Sequence, residues 1–287
     1  MDAHICRAYI HKKSPMLEID EPLVKVYQPM KYPDEKKKYI HPSLPAPPFR
    51  LILVGQTGSG KSNIIKNIMF SKGFYRDYFT QMYVYCGSAD DCEEYERLAE
   101  STKCKVWNEE KEQYYKRKTE SMEEKVSVSQ GVDVPDLQEL VEELEGDDDA
   151  EDEAVLMVFD DMIVDDLLQS RGKLNILDEL FTRGRHITQK GLSLIISTQK
   201  YRSLNQNMRT LNSSHIAVYH GLSPLELRAV AEENSGKLTP EGFKKMFQDH
   251  VKKRFQFMLI NMRNPPETQF QNDKFEYIDI TPYLEIK

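Results

Sequence analysis

A chain of 287 residues with 39% hydrophobic and 30% charged side chains has room for one large domain or two small ones, and enough apolar material for a core. No apolar run approaches the ~20 residues that a membrane-crossing helix needs, and the opening Met-Asp-Ala-His-Ile-Cys has no apolar signal core. The formal charge of −8 hides an asymmetry: residues 126–170 hold sixteen Asp or Glu and no Lys or Arg, and the rest carries 39 basic against 31 acidic residues, a body compatible with nucleic acid.

Residues 1–41 form a preamble with a candidate strand over 23–27 and a basic run at Lys36, Lys37 and Lys38. A proline-rich connector over 41–48 cannot be helical and completes an N-terminal extension. It delivers the chain to an apolar strand over 51–54, which runs straight into Gly55-Gln-Thr-Gly-Ser-Gly-Lys-Ser62. Ile64, Ile65, Ile68 and Met69 follow at helical spacing. Strand, G-x-x-x-x-G-K-S and helix together are the sequence form of a phosphate-binding P-loop. A triphosphate must be wrapped by backbone N–H groups, so Gly55, Gly58 and Gly60 permit close approach and positive φ. The helix start offers its free N–H groups to the phosphates. Residues Gly55, Gln56, Thr57, Gly58, Ser59, Gly60, Lys61 and Ser62 are the predicted nucleotide contacts. Lys61 is the charge on the β- and γ-phosphates, Ser62 is a ligand of Mg²⁺, and ATP with Mg²⁺ is the implied ligand pair.

Further along, a strand is predicted over 82–86, a helix over 90–101, a short strand over 104–107 and a charged surface helix over 109–125. An amphipathic segment over 136–144 leads into a mobile acidic loop, and 126–154 reads as an acidic insertion. Strands over 155–159, 192–197, 216–219 and 255–260 alternate with helices over 173–182, 224–233 and 240–249. Continuous apolar strands of this kind predict an α/β fold with a mostly parallel sheet covered on both faces, one ATPase domain over 49–265, and a C-terminal strand or tail over 266–287. The four cysteines (Cys6, Cys86, Cys92, Cys104) form no C-x-x-C pair and read as reduced thiols.

The strand over 155–159 ends in Asp160 and Asp161, at the end of the sheet where open α/β folds bind ligands. Asp160 is placed to hold Mg²⁺, and Asp161 to polarise the attacking water; capping of a following helix is the plainer alternative. The next buried strand ends at Gln199, whose amide can contact a γ-phosphate or orient water. Between the two lies Thr182-Arg-Gly-Arg-His186. Arg183 and Arg185 are candidates to stabilise phosphoryl charge in a neighbouring subunit, or they serve only as favourable charge at a helix C-terminus.

Taken in this order, the P-loop, Val155-Leu-Met-Val-Phe-Asp-Asp161, the Arg-Gly-Arg segment and Ile195-Ile-Ser-Thr-Gln199 resemble the genome-packaging ATPases of large double-stranded DNA viruses, the poxvirus-type branch of the FtsK–HerA superfamily. The resemblance covers roughly 49–220. It implies a RecA-like P-loop core and a homo-oligomeric ring, often a hexamer. It also implies ATP-driven movement of double-stranded DNA into a capsid, docking on a capsid or portal-type vertex protein, and residence in the virion or host cytoplasm. Lys61, Ser62, Asp160, Asp161 and Gln199 match the family's functional positions, with Arg183 and Arg185 both in the trans-arginine region. Lys200, Arg202, Arg209, Lys244, Lys245, Lys252, Lys253 and Arg254 are candidates for phosphate contacts. Other readings are a cellular-type DNA pump, an assembly or switch ATPase, and a small-molecule kinase, for which no arginine-rich lid is seen.

Overall fold

The computed structural model describes residues 40, 43–71, 73–100, 121–146, 153–162 and 176–286, together with the backbone of 103–108 and 113–118. The expected strand over 23–27, the basic run at 36–38 and the centre of the acidic loop lie outside the described residues.

Six strands form the parallel body of an eight-stranded sheet. In spatial order they are β8 (His215–Tyr219), β1 (Arg50–Val54), β7 (Ser193–Thr198), β6 (Val155–Asp160), β2 (Gln81–Cys86) and β5 (Val126–Gln130). Two antiparallel strands, β9 (Phe257–Asn261) and β10 (Phe270–Gln271), extend it beyond β8. Every residue of β6, β7 and β8 is buried. The cause is a core on each face. Val155, Met157, Phe159, Leu194 and Ile196 point into one, and Leu156, Val158 and Ile195 into the other. Strands sandwiched in this way need apolar residues at both parities, so their sequences are continuous rather than alternating.

Helix α1 (Lys61–Phe70) lays Ile65, Ile68 and Met69 on one face, alongside Tyr95 of α2 (Ala89–Glu100). The opposite face is covered by α3 (Val134–Gly146), α4 (Ile176–Arg183), α5 (Pro224–Asn234) and α6 (Pro240–His250). Helices α5 and α6 begin alike. Ser223 accepts a hydrogen bond from the N–H of Glu226, Thr239 accepts one from that of Gly242, and proline follows each cap.

Two expectations are corrected and one is refined. The predicted surface helix over 109–125 is replaced by β4 (Gln113–Lys118), paired antiparallel with β3 (Lys103–Asn108) as a separate two-stranded sheet. Charge spacing suggested a helix, but Tyr114 and Tyr115 favour the extended form once a partner strand is available. The described part of the acidic stretch, 126–146 and 153–154, is built into the domain: β5 pairs with β2 along its length, and α3 buries Leu137 and Val141. On α3, Asp136, Glu139, Glu142, Glu143 and Glu145 stay on the exposed side. The expected C-terminal strand is present as β10, and residues 266–286 are integral to the domain, because Phe270 packs on Phe243 with ring centroids 5.8 Å apart, and Ile278, Ile280 and Tyr283 join the same core.

Candidate nucleotide-binding site

The parallel topology brings the C-terminal ends of β1, β6 and β7 side by side, and the predicted P-loop leaves from the first of them. The N–H of Gly55 donates to the carbonyl of Thr198 at 3.1 Å, which locks the loop's origin to β7. Gly58 and Gly60 adopt φ of 71° and 101°, a region that other residues seldom enter. A Cβ on Gly55 would lie 2.6 Å from the Ser59 hydroxyl and 2.7 Å from the Cβ of Tyr219. The glycines therefore serve both curvature and space. Lys61 is only 5% exposed. Its ammonium donates to the carbonyls of Gly55 at 2.8 Å and Gln56 at 3.2 Å. Burial lowers its pKa, while the nearby Asp161 and Asp160 act to raise it. A cation held this way, at the mouth of a glycine-rich backbone loop, suits a polyanion. Together with Ser62, Asn63 and Asp161 it lines a cleft of about 390 Å³.

Asp160 is 1% exposed, and each of its carboxylate oxygens accepts one hydroxyl. Tyr95 of α2 donates its hydroxyl to Oδ2 at 2.8 Å, and Ser197 of β7 donates to Oδ1 at 2.6 Å. The same Ser197 hydroxyl accepts the N–H of Asp161 at 2.8 Å. Burial and the Asp160 charge push the Tyr95 phenol pKa well up, so Tyr95 stays a donor. Asp161 then turns into the left-handed region at φ 48°, a conformation that Asp tolerates better than most residues. The turn places its carboxylate beside Gln199, whose Nε2 donates to Oδ1 at 3.1 Å. Five of the predicted residues, Lys61, Ser62, Asp160, Asp161 and Gln199, thus gather at one end of the sheet. Their donor set fits magnesium-bound triphosphate: a hydroxyl, a buried carboxylate, a lysine and a loop of backbone amides.

Arg183 and Arg185 are not in this group. The N–H of Leu192 donates to the carbonyl of Gly184 between them, which places the pair at the start of β7. The P-loop lies at the other end of the sheet, about 17 Å away along the five-residue β1. Arg183 is further held by Glu179 at 2.5 Å and by Glu145 of α3 at 3.0 Å. Arg185 has no carboxylate partner among the described residues and only touches His186 through Nε at 2.9 Å. Of the basic residues singled out for phosphate contact, Arg209 is committed internally. It pairs with Glu233 through Nε and Nη2 at 3.0 and 2.8 Å, over the Tyr201 ring. Lys200, Arg202, Lys252 and Lys253 remain exposed.

Sequence reasoning did not find Tyr95, Ser197 or Gly87. A Cβ on Gly87 would sit 2.4 Å from the carbonyl oxygen of Asp161, so the glycine leaves room for the strained turn. Nor did it find the contact between Arg254-Phe255 and the P-loop, where Arg254 donates to the Gly58 carbonyl through Nε and Nη2, each at 3.2 Å. The expected strand over 255–260 begins only at Phe257, because Phe255 is in a left-handed turn at φ 73°.

A model of the poxvirus A32 protein family matches residues 36–235. Among solved structures, the chain is similar to B204, the DNA-packaging ATPase from Sulfolobus turreted icosahedral virus, with a TM-score of 0.54 at 16% identity over 79% of this chain and 97% of that one. It is also similar to the genome packaging NTPase B204 from Sulfolobus turreted icosahedral virus 2 in complex with ATPγS, with a TM-score of 0.53 at 17% identity over 79% and 97% of the two chains. At such identity the likeness establishes the fold, a RecA-like P-loop core. No curated protein matches the chain by sequence.

The Gly87→Ala substitution isolates the Asp161 turn. Displacing that carboxylate by the Cβ overlap is expected to lower the turnover of ATP about a hundredfold, with nucleotide affinity nearly unchanged. Steady-state hydrolysis beside equilibrium binding checks it, and normal turnover in this variant would remove Asp161 from the reaction.

Proposed function

The chain belongs to the poxvirus A32 protein family, and from that premise we propose that it is an ATP-hydrolysing motor that moves double-stranded DNA, packaging a viral genome into its capsid. The observation that carries the reading is the meeting of a P-loop, two strand-end carboxylates and an amide at one end of the sheet. Support also comes from the shared fold with B204, described as a DNA-packaging ATPase and as binding ATPγS.

The reaction is in-line attack of water on the γ-phosphorus, releasing ADP and phosphate. Backbone N–H groups of Gly55 to Ser62 hold the phosphate chain, and Lys61 releases its loop carbonyls to meet the β- and γ-oxygens. Ser62 and Asp160 would hold Mg²⁺, which neutralises charge on the phosphates. Asp161 orients the water and takes its proton on Oδ. Gln199 restrains that carboxylate through the hydrogen bond it already makes. Tyr95 and Ser197 position Asp160 and the backbone of Asp161.

Arg185 acts in trans within a homo-oligomeric ring. It lies too far from its own P-loop to serve it and, unlike Arg183, is not paired with a carboxylate among the described residues. DNA contact is through phosphate, independent of sequence and weakened by salt. Lys200, Arg202, Lys252 and Lys253 carry it; Arg209 is excluded by its own ion pair.

Hydrolysis by the wild-type protein is expected to rise with double-stranded DNA and to lose that stimulation as salt increases. The Lys61→Ala variant is expected to hydrolyse nothing in either condition. Unstimulated hydrolysis at every salt concentration would favour an assembly or switch ATPase, and turnover by the variant would overturn the site. For the arginine, mixing Arg185→Ala with Lys61→Ala subunits should recover activity that neither has alone. Mixed rings, verified by mass, that stay inactive at every ratio would exclude the trans role.

A further inference from the structure

The turn before β9 combines features that core packing leaves unexplained. Phe255 is a large aromatic with 59% of its surface exposed. Its backbone sits at φ 73°, an unfavourable region for a bulky residue, retained only where the surroundings impose it. The surroundings are specific. Gln256 accepts at Oε1 from the N–H groups of Lys252 and Lys253, at 3.0 and 2.9 Å, and the N–H of His220 ties its carbonyl to the end of β8 at 2.9 Å. The turn is thereby built as a rigid shelf at the C-terminal end of the sheet.

The shelf faces the P-loop. The Cδ1 of Phe255 lies 3.2 Å from where a Cβ of Gly60 would stand, so the ring rests against the last turn of the loop just ahead of Lys61. The Arg254 guanidinium lies 4.9 Å from the ring centroid and donates twice to the Gly58 carbonyl. Both residues line the same cleft as Lys61, Ser62 and Asn63. A largely exposed ring, held a few ångströms from a phosphate cradle and carrying a cation over one face, leaves its other face to suit a planar heteroaromatic ring joined to a polyphosphate.

We propose that Phe255 is the stacking platform for the nucleobase of the bound nucleotide, with Arg254 pinning the platform to the P-loop through Gly58. The inference rests on the nucleotide reading above and goes beyond it in assigning the base to a residue outside the phosphate-binding motifs. Every base offers a π-face, so stacking recognises the base without hydrogen-bond readout.

The test compares binding of magnesium-ATP and magnesium-tripolyphosphate, which lacks a base, to the full chain and its variants. Phe255→Ala is expected to weaken ATP about tenfold or more and to leave tripolyphosphate essentially unchanged, the size of an aromatic stacking contact. Phe255→Trp is expected to retain ATP affinity, and the fluorescence of the introduced indole should be quenched by ATP and not by tripolyphosphate. Equal weakening of both ligands in Phe255→Ala, undiminished ATP affinity, or an indole signal in Phe255→Trp that ignores the base would overturn the platform while leaving the phosphate site intact. Failure of the wild type to bind either ligand would overturn the nucleotide reading, and this inference with it.

Discussion

A carboxylate with almost no solvent access, that of Asp160, is the constraint around which the site is organised. Removing an ion from water is expensive unless hydrogen bonds replace its hydration. Here two hydroxyls from distant parts of the chain do so, Tyr95 from α2 and Ser197 from β7. The requirement to satisfy one buried group thus fixes the position of a helix and a strand relative to β6. Ser197 transmits the constraint one residue onward by accepting the Asp161 N–H, and Gln199, two residues beyond Ser197, closes on the Asp161 side chain. Each strand end at the P-loop is thus linked to its neighbour, β1 to β7 through Gly55 and Thr198, and β6 to β7 through Ser197 and Gln199.

Backbone strain concentrates at the same place. Asp161 and Phe255 account for two of the three non-glycine residues with positive φ among the described residues, and Gly58 and Gly60 of the P-loop share that region. Asp161 is accommodated by the absence of a side chain at Gly87, and Phe255 by the hydrogen-bonded turn around Gln256. A scaffold of fully buried parallel strands is rigid enough to hold such conformations, which is how strain persists at functional sites. Long-range charge is handled separately. The acidic α3 contributes Glu145 to Arg183, so part of the chain's acidic excess stabilises the sheet's far end and leaves the nucleotide end with its lysine.

The phosphate motif was legible because it is local: the spacing of Gly55, Gly58, Gly60, Lys61 and Ser62 is dictated by a turn only eight residues long. Asp160, Asp161 and Gln199 were legible because a polar residue ending an apolar strand lies at the ligand edge of a parallel sheet. Tyr95 was not, since it stands 65 residues from the carboxylate it serves and nothing in its own helix distinguishes it from a packing residue. The expected short strand over 104–107 is present as β3, but β4 was missed for a related reason. The charges of 113–118 resemble those of a helix face, and only the partner strand decides for extension. The acidic stretch misled because composition averages over two sides of an element. Leu137 and Val141 face the core and outweigh the carboxylates around them. The two arginines, close in sequence, differ in surroundings through the carboxylates that lie near Arg183.

The proposed site, with Asp161, Gln199 and Lys61 around a γ-phosphate, would account for hydrolysis; a motor must also convert it into movement along DNA. Displacement of a third strand from a DNA triplex, followed by fluorescence, measures that conversion directly. The wild-type protein is expected to strip the third strand only when ATP is hydrolysed, and the Lys61→Ala variant to leave it in place. A wild-type protein that hydrolyses ATP on the duplex and never displaces the strand would contradict the account.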